Sequence, residues 1–186
     1  MTEEALAEKR FYNQKQYNLQ QELYNMIPGW SRILSSGFFD VILCSSIPIY
    51  IYIRFIPNKD FDLMDGIIIF FMFLISFGLN FYFSTRKQGS TIGMYLFGIM
   101  LANESTFYEA TGDDMFDMLF LRVETNIVYT DLYETASFIG SSKKQTIAMK
   151  RMKMVYVKRR AYKKFKAKYQ DDIKELIEYR YKSYML

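Results

Sequence analysis

GIIIFFMFLISFGLNFYFST, residues 66–85, runs for 20 residues without one charged side chain. A helix rises about 1.5 Å per residue, so this length reaches across roughly 30 Å of hydrocarbon. Upstream, ILSSGFFDVILCSSIPIYIYI, residues 33–53, is 21 residues long and holds a single charge, Asp40. PNKDFDLMD, residues 57–65, is polar and joins the two runs. Two apolar runs so connected predict a transmembrane helical hairpin in a mainly α protein, with flanking amphipathic helices and at most a short strand pair. Pro48 lies near the middle of the first run, where it removes a backbone donor and predicts a kink.

Composition agrees with strong segregation. Of 186 residues, 51% are hydrophobic and 18% aromatic, yet mean hydropathy is only −0.08. The chain has no histidine and one cysteine, Cys44, which excludes imidazole or thiolate zinc sites, intramolecular disulfides and any triad with an imidazole base. No catalytic residue, metal site or cofactor is expected.

The flanks set an orientation. Arg32 borders the first run, Arg86 and Lys87 border the second, and 12 Lys or Arg fall between Lys143 and Lys168, against one Lys and three Asp in the connecting loop. Both termini are therefore expected on the cytoplasmic side, or in the matrix of a mitochondrion. Three segments are anticipated: an N-terminal amphipathic helix over 1–28, with its body from about Glu3 to Tyr24; a membrane domain over 29–158; and a basic C-terminal amphipathic helix over 159–186. Residues 104–134 hold eight acids and one cation, Arg122, and read as helix on a partner or the membrane surface. MKMVYVKR, residues 152–159, alternates at period two and reads as a short strand.

Asp40 demands a partner, because a carboxylate within a span costs about 2.5–3.5 kcal/mol even on insertion scales. In an antiparallel hairpin its depth approaches that of Asn80. A polar clamp of Asp40 and Asn80, with Arg32 or Arg86 reaching down, is the preferred geometry; a proton or cation relay is the alternative. Gly89, Thr91 and Gly93 then form an interfacial turn, followed by an apolar segment, Met94–Leu101, too short to cross. The cations Lys143, Lys144, Arg151, Lys158, Arg159, Arg160, Lys163 and Lys164 suit anionic lipid headgroups or other subunits better than nucleic acid.

Arg32 before the first span, Asp40 within it, GSTIG after the second and KKQTIAMKRMKMVYVKR further on together resemble the layout of the RDD family of small membrane proteins. The resemblance spans about residues 29–158 and implies a compact membrane domain that moves solutes. Met94 stands where the family tends to have lysine, and Ala148 and Met149 stand where its histidine and second aspartate fall. Those departures point to a scaffold that kept the fold and lost the polar chemistry. The expectation is a non-catalytic accessory subunit of a larger membrane complex, of respiratory-chain or ATP-synthase type. An RDD-like transporter using Asp40, or a part of a bacterial secretion or conjugation complex, are the alternatives.

Overall fold

The computed structural model describes residues 3–55, 63–124 and 137–185. Three long helices come first: α1 (Glu3–Tyr24), α2 (Trp30–Phe55) and α3 (Leu63–Arg86). A short helix α4 (Ile92–Leu96) leads into strand β1 (Ile99–Asn103), and α5 (Gly112–Glu124) follows. The chain then gives α6 (Ile147–Arg151), strand β2 (Met154–Lys158), α7 (Arg159–Lys168) and α8 (Gln170–Met185). The rest of the acidic segment, residues 125–136, and most of the inter-span loop, residues 56–62, lie outside the described residues.

α2 and α3 pack side by side, and both are long and apolar enough to cross a membrane. The chain is helical on both sides of Pro48, which is buried. Only 17% of the apolar stretch of α2 and 6% of that of α3 are buried within the chain. Phe38, Tyr50, Phe70 and Leu79 are among the large side chains left exposed.

The remaining helices assemble on a two-stranded antiparallel sheet, with Leu101 opposite Tyr156 at its centre. Successive side chains of a strand point to opposite faces, and here both faces are covered. Met100 and Ala102 of β1, with Val155 and Val157 of β2, pack against Leu19 and Leu23 of α1, Tyr162 and Phe165 of α7, and Ile173 and Leu176 of α8. Ile99, Leu101 and Met154 turn to the other face, against Ile33, Met94, Met118 and Met149 from α2, α4, α5 and α6. One core thus draws on all three segments anticipated from the sequence and crosses the boundaries at 28 and 158.

The C-terminal segment is not one straight helix. It breaks at Tyr169, the C-cap of α7, and this turns α8 back along α1. Tyr12 stacks on Tyr179 at 3.9 Å, and Lys15 bridges to Asp172 and Glu175 at 2.8 and 2.6 Å. The apolar spacing of Tyr162, Phe165, Ile173 and Leu176 survives because both pieces bury the same side.

The two strands and their preceding helices form a local duplication. Thr91 caps α4 and Thr146, 55 positions later, caps α6; each hydroxyl accepts the third amide of its helix, from Met94 and Met149, at 3.2 Å. The next bonds repeat as well: Tyr95 to Thr91 and Lys150 to Thr146 at 2.8 and 2.9 Å, then Phe97 to Gly93 and Met152 to Ala148, both at 3.0 Å. Each unit leaves its helix through a left-handed residue, Gly98 at φ 65° and Lys153 at φ 55°. The amide of Glu104 donates to Lys153 O at 2.7 Å, and the amide of Arg159 donates to Gly98 O at 2.8 Å. Residues 90–104 and 145–159 are therefore related by a local twofold axis between Leu101 and Tyr156, equivalent positions that pair with each other.

Candidate functional site

The polar node of the molecule forms where α2, α3 and α4 meet. Asn80 Nδ2 donates to Asp40 Oδ1 at 3.1 Å, and the Gly93 amide donates to the same oxygen at 2.8 Å. Thr91 Oγ1 donates to Oδ2. Asn80 also closes the ring on its other side, its Oδ1 accepting the Ile92 amide at 2.9 Å. The first amides of a helix lack intrahelical acceptors, and here Asp40, Asn80 and Thr91 supply them to α4. Both carboxylate oxygens are occupied, by donors that α3 and the α4 cap hold in place.

Close approach requires Gly93. A Cβ at that position would stand 2.2 Å from Ser36 O and 2.9 Å from Asp40 Cγ, so any larger residue would push α4 away from α2. Gly89 serves the turn itself: with Gln88 at φ 57° and Gly89 at φ 67°, two successive left-handed residues reverse the chain between α3 and α4. A Cβ on Gly89 would also meet Ala110 Cβ at 2.5 Å.

Arg32 and Arg86 do not take part in the clamp. Both are exposed, and the Arg86 guanidinium lies over the Tyr82 ring at 5.5 Å. Backbone amides of α4 take the place expected for the arginines, which avoids the cost of desolvating a second charge beside Asp40.

The cationic residues divide into two groups. Lys143 bonds to Tyr24 Oη and, at 3.2 Å, to Glu104 Oε2, with its ammonium 4.0 Å from the centre of the Tyr24 ring. Burial pulls the Lys143 pKa down, but the bonds to Tyr24 and Glu104 outweigh it and hold the pKa above its usual value. Lys144 donates to Pro28 O at 2.5 Å and lies 5.6 Å from the Trp30 ring; burial, then the charge of Lys158, lowers its pKa. Arg159 sits 3.9 Å from the Tyr95 ring, and its Nη2 donates to Ser90 Oγ at 2.9 Å. Lys158 is half-buried, while Arg151, Arg160, Lys163 and Lys164 point to solvent.

Between the two cap units lies a cavity of about 210 Å³, lined among others by Thr91, Met94 and Leu101 and by their twofold counterparts Thr146, Met149 and Tyr156. Ala148 and Met149 are buried beside it. Among the described residues no group of three or more His, Cys, Asp or Glu stands close enough to hold a metal ion.

Compared with protein-family models, with curated proteins and with solved structures, the chain matches none.

The sequence identified Asp40 and Asn80 but not the part played by α4. The signal was there: TIGM at 91–94 and TIAM at 146–149 repeat a Thr cap at one spacing. Two further contacts escaped notice, the triad of Tyr24, Glu104 and Lys143 and the stacking of Arg159 on Tyr95. They join residues 39 to 119 positions apart in elements of unrelated pattern, and periodicity carries no information about them.

Proposed function

We propose that the chain is a non-catalytic membrane subunit whose hairpin is embedded in a bilayer and whose other helices form a docking layer on the side of the termini. One observation carries the reading: Asp40, the carboxylate within the first apolar run, has both oxygens occupied by bonds that hold α4 against the hairpin. A relay group needs a free position to receive and release a proton or cation, whereas a clamp needs saturation. Support for the bilayer comes from the exposure of α2 and α3, since a helix of that hydropathy in a water-soluble core would bury most of its length. The cations Arg32, Arg86 and Lys87 favour an orientation with the termini on the cytoplasmic or matrix side. A respiratory-chain or ATP-synthase assembly is the first place to look for partners.

The test is purification of the tagged full chain in mild detergent, with identification of chains that migrate with it. A stoichiometric set of other membrane subunits is expected. Recovery as a lone monomer or homo-oligomer would overturn the accessory role. Asp40→Asn separates this role from that of an RDD-like carrier: assembly persists in a scaffold, while a carrier loses solute flux with its assembly unchanged.

A further inference from the structure

The local twofold places Arg159 at the position equivalent to Glu104, and the two residues differ in how their charges are met. Glu104 is neutralised inside the chain: Lys143 bridges to it at 3.2 Å and Tyr24 Oη donates to it at 2.7 Å. Tyr24 belongs to α1, which packs on the sheet. Arg159 forms no ion pair among the described residues. Its Nη2 donates to Ser90 Oγ and, at 3.4 Å, to Ile99 O, while its Nε is buried without an acceptor.

A second cation stands at the same ring. Lys87 Nζ lies 5.9 Å from the Tyr95 centroid and Arg159 Cζ lies 3.9 Å from it, so the two charges are at most about 10 Å apart. The ring faces supply part of the compensation, but among the described residues no carboxylate pairs with either charge, which leaves an electrostatic deficit on this corner. Beside Tyr95, Leu96 at the end of α4 is 62% exposed and its C-cap Phe97 37%, and Tyr95 itself packs on Phe83, near the end of α3 where the apolar run gives way to Arg86 and Lys87. Exposed apolar side chains next to unpaired cations, at the end of a membrane-length helix, match the depth at which phospholipid phosphates lie.

We propose that Lys87, Arg159 and Tyr95 form a binding site for the phosphate of an anionic phospholipid in the leaflet on the side of the termini, with Leu96 and Phe97 seated among its acyl chains. The site rests on the bilayer reading of the hairpin. The phosphate does for Arg159 what Lys143 does for Glu104: it supplies the missing counter-charge from outside the chain.

The full chain is reconstituted in phosphatidylcholine nanodiscs containing increasing phosphatidylglycerol, and its thermal stability is followed as the titration signal. Wild type gains stability saturably. Lys87→Gln, an exposed position, weakens the apparent affinity about fivefold, the effect of one cation near a charged surface. Arg159→Lys weakens it by less and guards against a folding defect in Arg159→Gln. Lys9→Gln and Lys174→Gln remove the same charge from exposed positions outside this site and leave the affinity unchanged. Equal losses from all these variants would overturn the site in favour of diffuse attraction. An equal response to soluble glycerol phosphate would overturn the lipid assignment. Sodium carbonate extraction of native membranes tests the bilayer independently: release of the chain would refute the hairpin, whereas retention without a phosphatidylglycerol response would refute the site alone.

Discussion

The amide of Gly93 donates to Asp40 Oδ1 at 2.8 Å across 53 positions of chain. The bond exists because Gly93 lacks a side chain where Ser36 O approaches, and because Thr91 and Asn80 hold the carboxylate in the required orientation. Asp40→Ala should leave three donors without their acceptor and destabilise the chain by about 1–3 kcal/mol. Asp40→Asn keeps one oxygen and should lose less. Denaturation of both variants in the same mild detergent measures the difference; equal stability of Asp40→Ala and wild type would remove the clamp from consideration.

The two cap units invite a paired experiment. Gly93→Ala introduces a Cβ 2.2 Å from Ser36 O and should cost about 3 kcal/mol through overpacking. At the equivalent position Ala148→Gly should cost only about 1 kcal/mol, the difference in helix propensity. If the two substitutions cost the same, α4 is not pressed against α2 as described.

Tyr162 is fully buried beneath the sheet, and its hydroxyl donates to Phe107 O at 2.7 Å. Burial, the largest cause, and the nearby Glu109 raise its pKa. Tyr162→Phe should destabilise by about 1–2 kcal/mol, since it removes one buried bond and leaves a carbonyl unmet. Alkaline difference spectra provide a second check, in which one tyrosine resists ionisation until the fold is lost.

The contact between α1 and α8 should depend on acid. Bonds from Lys15, and then from Tyr12, hold the Glu175 carboxyl below its usual value. A depressed folded pKa contributes stability that is present above the unfolded value, about 4.3, and is lost as pH falls through the folded one. The melting temperature should therefore fall on acidification below about pH 4, and less steeply in Glu175→Gln. An identical acid limb in both proteins would show that Glu175 takes no part.

Much of this architecture was legible because it is periodic. The apolar runs at 33–53 and 66–85, the helix at 3–24 and the alternating MKMVYVKR carry their patterns within one element. Asp40 and Asn80 were found by matching depth along a hairpin, which is also nearly local. What escaped was set by tertiary contact. Arg32 and Arg86 were assigned to the clamp because a charge suggests a counter-charge, yet amide donors fixed in a short helix meet the same need with less desolvation. Lys143 and Arg159 looked like equal members of one basic run. Only the fold gives Lys143 an acid and leaves Arg159 without one among the described residues.

The stack of Tyr12 on Tyr179 joins the first helix to the last. Ribosomes release a chain from its beginning, so α1 emerges early, with Leu19 and Leu23 uncovered, and waits through the synthesis of both apolar helices for α7 and α8. The core beneath the sheet consequently closes only after α7 and α8 have been made. A translation stop before Arg159 would leave α1 with Leu19 and Leu23 uncovered, a species for quality-control proteases.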